Sequence, residues 1–160
     1  MILDHTEIGI IADTHGIVRS SVRQALSGVS HIIHAGDIDK PEVLEELRQI
    51  APITAVTGNM DKGGWAKALP VTELVEVGDS LLYILHNIDQ LAIDPKVAGF
   101  AAVISGHSHR PSIVQKNGVF YINPGSAGPS RFSLPVTLIR LSISKSSISP
   151  RILNLEPGNA

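Results

Sequence analysis

The sequence predicts an α/β fold that changes to mixed or antiparallel β after its first third. Two observations carry this. Residues 7–12, 31–34 and 53–56 are short apolar runs separated by two helix-like segments, a βαβαβ pattern that implies parallel strands with right-handed crossovers. From residue 73 onward, short apolar runs flank Gly78-Asp79 and Asn117-Gly118, and both dipeptides are hairpin signals. Two sheets packed face to face, with helices outside, accommodate this order of elements.

Residues 7–12 (EIGIIA) are rich in Ile and end at a carboxylate. Residues 18–26 set Val18, Val22, Ala25 and Leu26 near one helical face. Residues 31–34 form a second apolar run, closed by Ala35-Gly36-Asp37. Pro41 suits the first turn of the next helix, whose apolar stripe is Val43, Leu44 and Leu47 among Glu42, Glu45, Glu46 and Arg48. Pro52 ends it, and residues 53–56 run to Gly58-Asn59. Residues 73–77 and 80–85 make the first hairpin. Asp94 caps a short helix that Pro95 opens and Gly99 closes. Residues 102–105 are another buried run, and residues 113–116 and 119–122 the second hairpin. Residues 136–143 and 148–155 close the fold as an antiparallel pair, with 156–160 as a loose tail.

A chain of 160 residues fits one domain, spanning residues 1–160. Hydrophobic residues make up 43% and charged residues 18%, which excludes disorder across the whole chain. Lys and Arg number 13 against 15 Asp and Glu, so there is no electrostatic footprint for sequence-independent nucleic-acid binding. No apolar run approaches the ~20 residues that span a bilayer. Residues 1–7 carry acids and no basic n-region, so no signal peptide is expected and a cytoplasmic location is. Cysteine is absent, which removes disulfides, thiolate metal sites and cysteine nucleophiles. Any metal must be held by oxygen and imidazole nitrogen, donors that suit Mn, Fe, Zn, Ni or Co.

Five polar clusters follow strand-like runs: Asp13-Thr14-His15, Gly36-Asp37, Gly58-Asn59, His86-Asn87 and Gly106-His107-Ser108-His109. The carboxyl ends of parallel strands meet in one crevice, so clusters far apart in sequence can converge there. In an extended segment, residues two apart face the same side, which aims Asp13 with His15 and His107 with His109 at one place. The glycines allow a sharp turn or a close approach just before a ligand. A mononuclear site needs three or four ligands. Seven candidates (Asp13, His15, Asp37, Asn59, His86, His107 and His109) suit two ions about 3.5–4 Å apart. Asp37, anionic and central in chain order, is the expected bridge.

The order D-x-H, G-D, G-N, H, G-H-x-H resembles the calcineurin-like metallophosphoesterase superfamily over essentially the whole chain. Asn123-Pro124-Gly125-Ser126 is similar to its small bacterial and archaeal, YfcE-like branch. The resemblance implies a single-domain α/β/β/α sandwich of two mixed sheets flanked by helices. It implies that Asp13, His15 and His109 hold one metal and Asn59, His86 and His107 the other, with Asp37 between them. It implies phosphodiesterase or phosphatase activity, often Mn-dependent, on a small phosphate ester, and self-association as a dimer or tetramer. The expected reaction is in-line attack on phosphorus by a metal-bridging hydroxide, with Asp37, Asn59 and His86 as the catalytic residues. Larger members place a histidine after the G-N asparagine; here Met60 stands there, which leaves the general acid unassigned. Asn87 stands where the branch usually has glycine.

Blander readings accompany these. His5 and His31 read as structural histidines, and His34 as structural or as a partner to a ligand. Asn123 to Ser126 reads as a tight turn bordering the site. Arg131 reads as solvated, with phosphate contact as its sharper reading. Trp65, Leu69, Val71 and Leu74 read as core or subunit contact. Two rival functions keep the fold: a phosphomonoesterase or nucleotide phosphatase, and a non-catalytic scaffold, for which lost ligand positions would be expected. A serine hydrolase is rejected, because G-x-S-x-G is absent.

Overall fold

The structure, a computed structural model, describes residues 6–129, 134–145 and 147–156. His5 and Arg131 lie outside the described residues.

The first βαβαβ segment forms as the pattern predicts. Strands β1 (Thr6–Ile11), β2 (His31–His34) and β3 (Ile53–Ala55) are linked by helices α1 (Ser20–Ala25) and α2 (Pro41–Arg48). β2 pairs in parallel with both of its neighbours. Pro41 occupies the first turn of α2, where its missing N–H has no partner to lose. Helix α1 starts two residues later than the apolar spacing predicts. Short helix α3 (Gly64–Lys67) then precedes β4 (Thr72–Val77) and β5 (Ser80–Leu85), the antiparallel hairpin turned by Gly78-Asp79.

A 3-10 turn (Ile88–Gln90) and helix α4 (Pro95–Ala98) lead to β6 (Ala102–Ile104). Asp94 caps α4 through the Lys96 and Val97 N–H groups, and Gly99 ends it in the left-handed region. β7 (Ser112–Lys116) and β8 (Val119–Asn123) form the second hairpin, where Asn117 and Gly118 both carry positive φ as a type I′ turn requires. β9 (Val136–Ser144) and β10 (Ser147–Glu156) close the fold antiparallel.

The strands make two mixed five-stranded sheets, ordered β10-β9-β1-β2-β3 and β4-β5-β6-β8-β7. Ile8, Ile10 and Ile33 on the first sheet meet Leu82, Ile84, Ile104 and Ile122 on the second, and all are buried. Near-continuous Ile runs pack on both faces: the outer side of the first sheet carries Ile11 and Ile32 against Val22, Leu26, Val43, Leu44 and Leu47 of and beside α1 and α2. The outer side of the second sheet is covered thinly, by Phe100 stacked on Tyr83 at 4.8 Å and by Ala98 and Leu91. The architecture is thus the α/β/β/α sandwich, with one helical layer sparse.

Two expectations need correction or division. Glu156, expected in a loose tail, is paired in β10 and accepts hydrogen bonds from Arg19 and Ser21. Trp65 and Leu69 pack on the core, whereas Val71 and Leu74 are 65% and 50% exposed. Strand alternation explains Leu74, which lies on the outward side of edge strand β4. Among the described residues no helix is long and apolar enough to cross a membrane.

Candidate metal centre

The polar clusters follow the carboxyl ends of β1, β2, β3, β5 and β6, and the fold brings them together. Backbone hydrogen bonds join the loops directly. The Asp13 and His15 N–H groups donate to the carbonyls of Gly36 and Asp37, and the Gly106 N–H donates to that of His86. Asp13, His15 and His109 each offer one ligand atom to a group in which these atoms lie within 4.8 Å of one another. Asp37, His86 and His107 form a second on the same criterion. The two touch: Asp37 Oδ2 lies 3.2 Å from His86 Nε2 and 3.9 Å from His15 Nε2. Asn59 is exposed and lines the same cavity as His86 and His107.

The side chains do not converge by the extended geometry that D-x-H spacing suggests. Asp13, His15, Asp37, His107 and His109 all have positive φ, between 47° and 75°. That left-handed region is uncommon for any residue but glycine, and Asp and His are among those that tolerate it. Five such residues in one place mark backbone held against its preference, a feature that gathers at functional sites. The preceding glycines allow the close approach. A Cβ on Gly36 would stand 2.7 Å from His86 Nδ1, and one on Gly58 would stand 2.3 Å from Asp37 Oδ1.

Supporting groups fix the imidazoles. His86 Nδ1 lies 2.7 Å from the Ala35 carbonyl, which can only accept, so that nitrogen carries the proton. His15 Nδ1 lies 3.2 Å from Asp39 Oδ2 and is protonated for the same reason. Both Nε2 lone pairs are thereby directed at carboxylate oxygens. His34, fully buried, accepts from the Gly36 N–H and donates through Nε2 to Thr14 Oγ1 at 2.9 Å. Asp61 accepts the N–H groups of Asp37, Ile38, Asp39 and Gly58 at 2.8–3.0 Å, tying the Asp37 loop to the Asn59 loop. Asn123 donates to the Gly106 carbonyl, and Ser126 donates to that of Asp13. The Asn-Pro-Gly-Ser segment is therefore a brace under two ligand-bearing loops as well as a turn.

Electrostatics follow from burial and neighbours. Asp13 is pushed up to about 7, first by burial and then by the negative charge of Asp37, against the pull of His86. Burial would raise Asp37 too, but its contact with His86 and the Met60 N–H hold it at about 2. His86 is raised, because Asp37 and the Ala35 carbonyl outweigh burial. His34 is lowered to about 3, chiefly by burial, so it is a neutral spacer.

The donor set fits divalent cations. Asp13 Oδ1 is buried and accepts no hydrogen bond, yet imidazole nitrogens of His109 and His15 stand 3.7 and 3.9 Å away. Neutral imidazole lone pairs facing carboxylate oxygens repel unless a proton or a cation lies between them. Oxygen and imidazole donors with no thiolate suit first-row divalent ions. Sequence reasoning named every member of the two groups but missed Asp39 and Asp61. Their spacing gave one available signal, since each lies two residues beyond a named ligand.

Comparison with known proteins agrees. Residues 7–146 match the model of the calcineurin-like phosphoesterase superfamily domain. A probable metallophosphoesterase of Methanothermobacter thermautotrophicus is 33% identical over 144 residues, covering 82% of this chain and 83% of that protein. Among solved structures, an archaeal phosphodiesterase is 26% identical, with a TM-score of 0.76 over 92% of this chain and 100% of its own. Vacuolar protein sorting 29 from Cryptosporidium parvum superposes with a TM-score of 0.82 at 18% identity, over 97% and 94% of the two chains, and shares the fold. With residues 7–146 matching the family model and 33% identity to the Methanothermobacter protein over most of its length, the chain belongs to the calcineurin-like phosphoesterase superfamily.

Proposed function

We propose that this chain hydrolyses phosphodiesters at a centre of two divalent cations, manganese foremost. Asp13, His15 and His109 would hold one cation and Asn59, His86 and His107 the other, with Asp37 between them. The observation that carries this reading is the contact of the two side-chain groups across Asp37. When bound, such cations supply Lewis acidity toward water and toward a phosphoryl oxygen.

The remaining work falls to the chain. Asp37, held at about 2, stays ionised at any physiological pH and is a constant anionic donor. The Ala35 carbonyl and Asp39 each fix a tautomer, so His86 and His15 present Nε2 and cannot swing away. Asn59 adds a neutral amide, which repels an anionic substrate less than a third carboxylate in its place. Asp37, Asn59 and His86 thus border the reacting phosphate as the catalytic residues. Met60 supplies no acid; its N–H donates to Asp37 instead. Esters with good leaving groups should therefore turn over fastest. Similarity to an archaeal phosphodiesterase supports a diester over a monoester as substrate.

The same reading includes one domain over residues 1–160, a cytoplasmic location, and a dimer or tetramer. Exposed Leu74 and Val114 offer apolar surface for self-association.

The test is hydrolysis of an aryl phosphodiester by metal-stripped protein, with and without added Mn, beside Asp37→Asn. Metal-dependent turnover that the variant loses is the expected result. Folded protein with no turnover on any divalent metal would overturn the reading and favour a scaffold.

A further inference from the structure

A cavity of about 390 Å³ opens beside the metal centre. Asn59, His86 and His107 form its inner wall, so whatever fills it is continuous with a phosphate at the centre. Leu85 and Val71 give it an apolar surface, and Thr57, Thr72, Asn87 and Gln90 give it hydroxyls and amides. No Lys, Arg, Asp or Glu lines it among the described residues. A cavity of this size, largely apolar with a few convergent polar groups, is typical of a small-molecule site.

We propose that this cavity seats one uncharged ester arm of the substrate, an arm of nucleoside size that carries a flat apolar face and hydrogen-bonding edges. This rests on the phosphodiesterase reading and names the class of diester. An anionic arm would lose its hydration without gaining a cationic partner, so the lining selects against it. A simple alkyl arm would leave the amides to water and gain no hydrogen bond from them, so the lining favours an arm with hydrogen-bonding edges. Asn87 shows how the polar edge is set. Its Oδ1 accepts from the Asp89 N–H at 3.0 Å, which fixes the amide and leaves its Nδ2 hydrogens for an acceptor on the ligand. Gln90, exposed at the rim, supplies an amide that can turn to present either a donor or an acceptor.

Two substrates with the same scissile bond test this: the p-nitrophenyl ester of thymidine 5′-phosphate, and methyl p-nitrophenyl phosphate. In both, water adds to phosphorus and the bond to p-nitrophenolate breaks, so only the retained arm differs. Mn-loaded wild type should favour the thymidine ester by about tenfold or more in kcat/KM. Val71→Trp, at an exposed position, should fill the cavity and bring that ratio close to one, with the methyl ester as the reference in each protein. Gln90→Ala should lower it partway.

Turnover of the methyl ester with no preference for thymidine, or an equal loss of both substrates in Val71→Trp, would overturn the proposal. Failure of wild type on both esters would instead sink the phosphodiesterase reading. Amide chemical shifts with thymidine would then decide for the cavity. Shifts at Thr72, Asn87 and Gln90 that Val71→Trp abolishes would support it, and their absence would refute it.

Discussion

Replacing Asp13 by asparagine should change the sign of its effect with metal. The substitution should stabilise the metal-free protein at mildly alkaline pH and destabilise the metal-loaded one. Asp13 is fully buried, and its carboxyl is pushed from the ordinary 3.8 up to about 7, first by burial and then by Asp37. An acid whose folded pKa exceeds its unfolded pKa binds more protons when folded. Stability therefore falls as pH rises through the window from 3.8 to about 7. At about 1.4 kcal/mol per unit, the loss above that window approaches roughly 4 kcal/mol.

Asparagine removes the charge while keeping an oxygen for the His107 N–H that Asp13 Oδ2 now accepts at 3.1 Å. A cation bound only by the folded protein contributes the opposite effect, about 2.7 kcal/mol at a hundredfold excess over Kd, and the variant should forfeit much of it. The assay is urea denaturation of both proteins at about pH 4 and about pH 8, each with chelator and with Mn. In chelator the variant should match wild type at the lower pH and exceed it at the higher. A variant equally destabilised at both pH values in chelator would refute the argument that Asp13 is held against its own charge. Equal gains from Mn in the two proteins would refute its place in the metal centre.

Other perturbations test the supports. Asp61→Ala strands four backbone N–H groups and should cost about 3 kcal/mol or more, with Asp61→Asn intermediate; a loss under about 1 kcal/mol in urea would show that the loops hold without it. Gly36→Ala places a Cβ against His86 Nδ1 and the Gly58 backbone at a φ of 100°, and should lower both stability and Mn stoichiometry by equilibrium dialysis; full stoichiometry would count against the crowding. Glu7 is held below its ordinary value: burial alone would raise it, but Ser142 and Arg140 donate to its carboxylate. Its stabilisation is full above the unfolded value of 4.5 and is lost as pH falls through the lower folded one, so Glu7→Gln should flatten the acid limb of the stability curve. An unchanged acid limb would show the pair to be inert.

The sequence alone determined the kind and order of the main strands and the first two helices, because Ile-rich runs of strand length and the Pro and Gly stops are local signals. It also determined which side chains would meet, since each polar cluster follows an apolar run and parallel strands end together. Short helix α3 and the 3-10 turn left no periodic pattern to read. The division of the candidates into two groups, implied beforehand only by the family resemblance, rests on left-handed turns at Asp13, His15, Asp37, His107 and His109 that spacing cannot encode. Tertiary structure also decided the roles of Asp39, Asp61, Asn123 and Ser126. Each acts through hydrogen bonds to loops distant in the chain, and a lone polar residue in a loop declares its partner only when two strand ends are brought face to face.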